Sequence, residues 1–139
     1  MDILKLEYDV PGDDFTRAGE ASSGLKKALK KIGVNPASIR KAAIAMYEGE
    51  INMVIHAGGG KATVEVGPEG ILIKLVDQGP GIPDISLAMK EGWSTAPDTV
   101  RNLGFGAGMG LPNMKKYSDD MQIDSTVGVG TTVTMRIAI

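Results

Sequence analysis

The sequence predicts an α+β protein, a two-layer α/β sandwich in which three helices cover one face of a mixed, mainly antiparallel sheet. Two observations predict this class. Several short segments alternate apolar and polar residues, as strands with one buried face do, and they are accompanied by longer segments with helix start and stop signals. Some of these strands follow each other through tight turns, which favours antiparallel pairing. At 139 residues the chain is expected to form one domain over residues 1–139.

The composition excludes several classes of function. A hydrophobic content of 42% and a charged content of 23% are ordinary for a globular protein, and a formal net charge of −2 predicts no basic face for nucleic acid. The absence of cysteine excludes a disulfide framework and a thiolate zinc site, and it suits the cytoplasm. Residues 1–5 do not resemble a signal peptide, and no apolar run approaches membrane-spanning length. We therefore expect a cytoplasmic protein that binds neither nucleic acid nor membrane.

The first two elements are a strand and a lysine-rich helix. Residues 3–8 predict a short strand, which Pro11 and Gly12 end. A helix is expected over residues 15–32, where a preceding aspartate can cap its start and Gly33 ends it. Its lysines predict a solvated face: Lys26, Lys27, Lys30 and Lys31.

A second helix is expected from Pro36 to His56, with proline pre-set for its first turn. It is apolar nearly all round and should pack on the sheet, yet Glu48, Asn52 and His56 form one polar stripe at i, i+4 and i+8. Burying a carboxylate and an amide is costly unless they are satisfied, and their oxygens suit magnesium. For Glu48 and Asn52 we favour this function over a wetted helix side; a lone His56 is more often a hydrogen-bonded residue at a helix end. Glu50 points away from the stripe and is expected at the surface.

Four further strands are predicted, two of them, over residues 61–67 and 131–139, by alternation. Residues 61–67 and 71–76 form an antiparallel hairpin around the tight turn 67–70. Residues 121–125 and 131–139 form the last two strands. The side chains expected on the buried face are Ala62, Val64, Val66, Val133, Met135, Ile137 and Ile139.

The strand at 71–76 ends in Asp77, followed by a turn that contains Gly79 and Gly81. An aspartate before a glycine turn is a common structural device, so this signal is weak by itself. Its chemistry nevertheless fits adenine, because a carboxylate accepts a hydrogen bond from the exocyclic amine and the glycines let the base lie on bare backbone.

A glycine-rich stretch leads into a third helix, expected over residues 111–119. A glycine loop that opens a helix offers unpaired N–H groups to a phosphate. Neither the P-loop nor the dinucleotide fingerprint fits its spacing, and its apolar residues argue against the alternative of a flexible linker. Glycine occupies every second position of the stretch: Gly104, Gly106, Gly108 and Gly110.

Residues 84–107 show no strong period and predict a lid between the adenine turn and the phosphate loop. Arg101 is the only arginine of this segment. Contact with a phosphate and exposure to solvent are equally expected for it.

The three motifs stand in a specific order along the chain, as Glu48-x-x-x-Asn52-x-x-x-His56, Asp77-x-Gly79-x-Gly81, and the glycine loop 104–110. In this order they resemble the GHKL ATPase superfamily of gyrase, histidine kinases and MutL. Within it, residues 77–85, 91–95 and 106–112 are similar to the bacterial anti-sigma-factor serine kinases, and most of all to the stressosome switch type.

The resemblance implies a role for each matching residue. Glu48 would be the general base, Asn52 the magnesium ligand, and Asp77 the adenine reader, which Thr131 assists through a water. The other nucleotide contacts that it implies are His56, Gly79, Gly81, Ile82, Arg101, Gly104, Gly106, Ala107, Gly108, Met109, Gly110 and Leu111.

The implied activity is that of a serine/threonine protein kinase, which uses ATP and Mg²⁺ to phosphorylate a STAS-domain protein. The resemblance also implies a sigma factor or a phosphatase as further partners, and a homodimer. Three alternatives stay open: a binding module that ATP gates with little turnover, a detached histidine-kinase catalytic domain, and a general ATPase.

Overall fold

The fold was described from a computed structural model, which describes residues 4–12, 18–82, 89 and 110–139. These residues form the predicted α+β sandwich of one five-stranded sheet and three helices. The strands are β1 (Leu4–Pro11), β2 (Gly59–Gly67), β3 (Gly70–Asp77), β4 (Asp120–Thr126) and β5 (Gly130–Ala138). The helices are α1 (Glu20–Lys31), α2 (Pro36–His56) and α3 (Gly110–Tyr117).

The strand order β1-β2-β3-β5-β4 decides which chain segments meet at the edge of the sheet. All four pairings between the described strands are antiparallel. Because β3 pairs with β5 and not with β4, the end of β3 lies beside the start of β5, and Asp77 is in register with Thr131. Two residues that are 54 positions apart in the sequence thus become neighbours.

The buried face of the sheet carries the alternating residues that the sequence predicts. Ala62, Val64 and Val66 are buried, as are Val133, Met135 and Ile137. The prediction for Ile139 is wrong, because β5 ends at Ala138 and the last side chain is 49% exposed. Alternation places a side chain on one face of the sheet only while the residue belongs to the hydrogen-bonded strand.

The start of α2 is explained by its local sequence. Asn35 caps α2 by accepting a hydrogen bond from the Ser38 amide at 2.9 Å, and Pro36 occupies the first turn. The four predicted lysines of α1 are exposed or partly exposed, on the side away from buried Leu25 and Leu29. The predicted start of α1 at residue 15 is wrong, because residues 18 and 19 form a turn and the helix begins at Glu20, after Gly19 with a φ of +100°.

Glu50 is not at the surface, so that prediction is wrong: its side chain is only 2% exposed. Its carboxylate accepts three backbone hydrogen bonds at 3.0 Å each, from the amides of Gly19, Ala21 and Ser22. Gly19 precedes α1 and has no side chain to cap it, so Glu50 from α2 satisfies the unpaired N–H groups of the first turn of α1. The side of α2 that points away from the polar stripe faces another helix and not water.

Gly49 sets how closely α2 approaches the sheet. A side chain at this position would overlap Leu75 of β3, and its Cβ would lie 3.2 Å from Met114 Cε of α3. Only glycine leaves room for this packing. Gly49 therefore lets α2 lie close to β3 and α3 at the point where Glu48 is bonded to α3.

In the described part of the chain, no helix combines the length and the apolarity that a membrane crossing requires.

Candidate functional site

The polar stripe of α2 is covered by the first turns of α3. Asn113 donates a hydrogen bond from Nδ2 to Glu48 Oε1, with 3.4 Å between the two atoms. The next residue, Met114, is 1% exposed, and its Sδ lies 3.7 Å from Asn52 Nδ2. Two successive residues of α3 therefore contact the two predicted functional residues of α2.

The carboxylate of Glu48 is in a partly buried environment that favours its protonated form. Burial raises the pKa of Glu48 above its ordinary value, and the hydrogen bond from Asn113 lowers it by a smaller amount. A carboxylate whose pKa is moved toward neutrality is better suited to accept a proton from an alcohol. The general-base role of Glu48 stays a prediction.

Asn52 and His56 continue the stripe toward the end of α2. The side chains of Glu48 and Asn52 are both partly buried. The bond of Asn52 to Met114 uses the amide nitrogen, so the carbonyl oxygen is the atom suited to a hard cation. His56 is the last residue of α2, so the helix includes the whole predicted motif.

Asp77 organises the turn that follows β3. Its Oδ1 accepts hydrogen bonds from the Gly79 amide at 3.0 Å and from the Thr131 amide at 3.2 Å. Both bonds use the same oxygen, so the aspartate has the structural role that its position suggests.

Ser125 joins this turn to the last two strands, and sequence reasoning missed it. Its Oγ lies 2.8 Å from Thr131 Oγ1 and accepts a hydrogen bond of 2.7 Å from the Ile82 amide. Ile82 and Thr131 were both predicted as nucleotide contacts, and Ser125 connects them. The available signal was a serine in a strand that alternates toward the core, directly opposite Thr131 in the β4–β5 register.

Gly79 and Gly81 lie so close to neighbouring residues that a side chain at either position would overlap them. A Cβ at Gly79 would lie 2.6 Å from Ala57, just past α2, and a Cβ at Gly81 would lie 2.6 Å from the carbonyl oxygen of Thr126. Gly81 also has a φ of +81°, which favours glycine. The tight packing of these glycines places the turn after β3 between the end of α2 and the β4–β5 hairpin.

The contacts of α2 with β3 relate the two halves of the candidate site. Gly49 packs on Leu75, and Ala57 packs on Gly79, so this part of α2 runs along the last residues of β3 and the following turn. Glu48 and Asn52 therefore lie on the helix that flanks Asp77. A cavity of about 580 Å³ adjoins Asp77; it is lined by residues 57–61 and 76–78 and by Asp9, and it does not include Glu48 or Asn52.

The predicted phosphate loop is only partly described. Gly110 is the first residue of α3, and Leu111 packs against the core. Arg101, Gly104, Gly106, Ala107, Gly108 and Met109 lie outside the described residues, as does most of the predicted lid. The convergence of all three motifs on one nucleotide therefore stays a prediction.

Comparison with known families agrees with this architecture. Residues 13–137 match the family described as histidine kinase-like ATPase domain. The chain therefore belongs to this family, and its domain is an ATP-binding one.

Two similar proteins place the chain among regulatory members of the family. The serine/threonine-protein kinase RsbT of Bacillus subtilis (strain 168) is 32% identical over 112 residues, which are 78% of this chain and 78% of that protein. The anti-sigma F factor of Thermoanaerobacter sp. (strain X514) is 34% identical over 96 residues, which are 66% of this chain and 64% of that protein.

A solved structure supports the fold. The structure of the RsbU and RsbW domains of Rv1364c from Mycobacterium tuberculosis superposes with a TM-score of 0.62 at 16% identity. The match covers 97% of this chain and 32% of that one.

Proposed function

We propose that this protein is an ATP-dependent serine/threonine protein kinase of the anti-sigma regulatory type. In this proposal it transfers the γ-phosphate of ATP to a STAS-domain antagonist protein in the cytoplasm, and so controls the availability of a transcription factor. One observation carries the proposal: Glu48, a partly buried carboxylate, is hydrogen-bonded to the helix that follows the glycine stretch and stands one turn before Asn52. The similarity to a protein named as a serine/threonine kinase supports it.

Glu48 would act on the acceptor hydroxyl. Phosphoryl transfer depends mainly on positioning and on charge stabilisation, with a base placed to take the hydroxyl proton. Glu48 is an acceptor when ionised, and its partly buried environment raises its pKa toward the range of an efficient base. Packing against α3 holds the residue beside the point where the predicted phosphate loop ends.

The residues fit a magnesium ion that ATP brings with it. Among the described residues there is no cluster of three or more acidic or histidine side chains that could hold a metal by itself. Magnesium at kinase sites is bound by phosphate oxygens, waters and one or two protein oxygens, so one amide oxygen from Asn52 is consistent with it. When bound, the ion would neutralise charge that develops on the phosphates.

Asp77 would recognise the base. Its Oδ1 is occupied by the amides of Gly79 and Thr131, which fix the carboxylate and leave Oδ2 to accept from the exocyclic amine of adenine. Thr131 is only 8% exposed and is bonded to Ser125. This network would hold the Asp77 carboxylate in place for the base.

The decisive experiment is transfer of radiolabel from [γ-³²P]ATP with Mg²⁺ to a purified STAS-domain protein encoded beside this protein's gene. We expect label on a serine or threonine of the acceptor, stable to acid. The Glu48→Gln variant should lose transfer and keep ATP binding. Glu69→Gln is the matched control, because Glu69 is an exposed carboxylate in the β2–β3 turn, at the other end of β3 from Asp77.

The other outcomes identify the alternatives. Acid-labile label on a histidine of a separate chain would indicate a histidine-kinase catalytic domain, and free phosphate without a labelled protein would indicate a general ATPase. Either result would overturn the proposal.

A binding module is the second candidate, and the similarity to proteins named anti-sigma F factor favours it. In this case ATP would set the shape of a surface for a sigma factor or a phosphatase. Partner binding that depends on ATP, together with turnover that is as slow as in Glu48→Gln, would support the module over the kinase.

A further inference from the structure

The amide of Asn113 is the one side-chain donor that the described structure directs at the Glu48 carboxylate. Asn113 belongs to the first turn of α3, three residues after Gly110. No motif in the sequence pointed to this residue, and the roles assigned above do not include it.

The position of Asn113 is fixed by its neighbour in the chain. Met114 is 1% exposed, belongs to the main core, and reaches close to Gly49 on α2. A buried anchor at Met114 orients the first turn of α3 and directs the preceding side chain at Glu48. Because Gly49 has no side chain, α3 can lie close enough to α2 for this hydrogen bond to form.

An amide is chemically suited to this position. It stays neutral at every pH, so it cannot compete with Glu48 for the proton. It donates to one carboxylate oxygen, which fixes the side-chain rotamer and favours the ionised form that a base needs. Of the described influences on the pKa of Glu48, burial raises it and the Asn113 amide is the one that lowers it.

We propose that Asn113 is a positioning residue for phosphoryl transfer, which holds Oε1 of Glu48 so that Oε2 faces the acceptor hydroxyl. The inference rests on the proposed function. In the step, Oε2 takes the proton of the serine or threonine hydroxyl, and the hydroxyl oxygen forms a bond to the γ-phosphorus. The bond between the γ-phosphorus and the bridging oxygen breaks, and ADP leaves with that electron pair.

The test compares Asn113→Leu, which keeps the size but removes the donor, with Asn113→Gln, which keeps the amide. We expect Asn113→Leu to lower kcat for transfer from [γ-³²P]ATP to the STAS-domain protein by about tenfold, since a hydrogen bond to a charged group is worth that much. The KM for ATP should stay unchanged, and Asn113→Gln should recover part of kcat. Lys115→Ala, an exposed residue of the same helix, is the matched control.

A double-mutant cycle with Glu48→Gln separates a positioning role from a general structural one. If Asn113 acts through Glu48, Asn113→Leu has no further effect on kcat once Glu48 is glutamine. An equal loss in both backgrounds, or a loss that appears in the KM for ATP, would overturn the inference.

A measurement without turnover keeps this inference separate from the proposed function. The carboxyl carbon of Glu48, observed by ¹³C NMR, should titrate at higher pH in Asn113→Leu than in the wild type, because the stabilising donor is gone. If the wild-type protein transfers no phosphate, the proposed function is wrong. A shift of the Glu48 titration in Asn113→Leu would in that case still support the hydrogen bond between Asn113 and Glu48. An unchanged titration would overturn the inference whatever the activity.

Discussion

Glu48 and Glu50 are two residues apart on α2, and their surroundings differ in almost every respect. Glu48 is partly buried and has one side-chain donor at 3.4 Å. Glu50 is 2% exposed and accepts three backbone amides at 3.0 Å each. The Glu48 carboxylate has few hydrogen bonds and adjoins the candidate site. The hydrogen bonds of the Glu50 carboxylate instead hold α1 and α2 together.

The difference shows how one helix serves chemistry and stability at once. A carboxylate with three short bonds to a helix N-terminus contributes to folding and has no capacity left for a substrate. A carboxylate with one long bond retains an oxygen that can react. Substitutions at these two positions should therefore change different measured quantities.

The largest effect is expected from Glu48→Gln on catalysis. Loss of a general base lowers the rate of phosphoryl transfer by about 10²- to 10⁴-fold, or about 3 to 5 kcal/mol in activation free energy. The free energy of unfolding should change by no more than about 0.5 kcal/mol. Transfer kinetics and urea unfolding of the same preparation measure both quantities, and a large loss of stability would contradict the assignment.

Glu50→Ala is expected to lower stability, because it leaves three backbone amides at the start of α1 without their partner. The free energy of unfolding should fall by about 3 kcal/mol, since each hydrogen bond to a charged group contributes and the site is buried. Urea denaturation measures this loss. Exposed Glu69→Ala is the control, and an equal change in both variants would show that Glu50 does not hold α1.

Binding of Mg-ATP should raise the free energy of unfolding by about 2.7 kcal/mol at a hundredfold excess over the dissociation constant. Asn52→Ala should lose most of this increase while it unfolds normally without nucleotide. Thermal unfolding with and without Mg-ATP measures the difference. No increase for the wild type at millimolar nucleotide would refute the ATP site.

Gly49 lies between the two carboxylates on α2. Gly49→Ala would force a methyl group into Leu75, and the overpacking should cost about 2 kcal/mol of stability in spite of the better helix propensity of alanine. Gly24→Ala in α1 is the matched control, because its Cβ would meet the Tyr8 ring at 3.0 Å, whereas a Cβ at Gly49 would overlap Leu75. Calorimetry should show a much smaller change for Gly24→Ala.

The smallest effect concerns pH. Burial raises the pKa of Glu48 in the folded state above the ordinary value of about 4.3, so the folded protein holds this proton more tightly than the unfolded chain. Its contribution to stability is present below about pH 4.3 and is lost as the pH rises through the folded-state pKa. Glu48→Gln should therefore become more stable than the wild type with rising pH, by about 0.5 kcal/mol or less. Urea unfolding from pH 4 to pH 8 tests the sign.

The sequence predicted the elements well because they depend on local patterns. Alternation located β2 and β5, a buried run after a tight turn located β3, and the Pro36 signal with the apolar pattern located α2 from end to end. The candidate residues Glu48 and Asn52 were found because a carboxylate and an amide stood out on an apolar helix. Asp77 was found because it ends a strand before a glycine turn. Asn113 and Ser125 were not found, because their importance comes from partners that are 65 and 6 residues away.

By itself, the sequence determined the class of fold, the family of motifs and the order in which they occur, because periodicity and residue chemistry are properties of short segments. Only the tertiary structure decided which sides of α2 face solvent, α1 or α3. Glu50 shows the reason: whether a carboxylate is exposed or buried depends on what packs against its helix, and that contact joins amides 28 to 31 positions away in the chain.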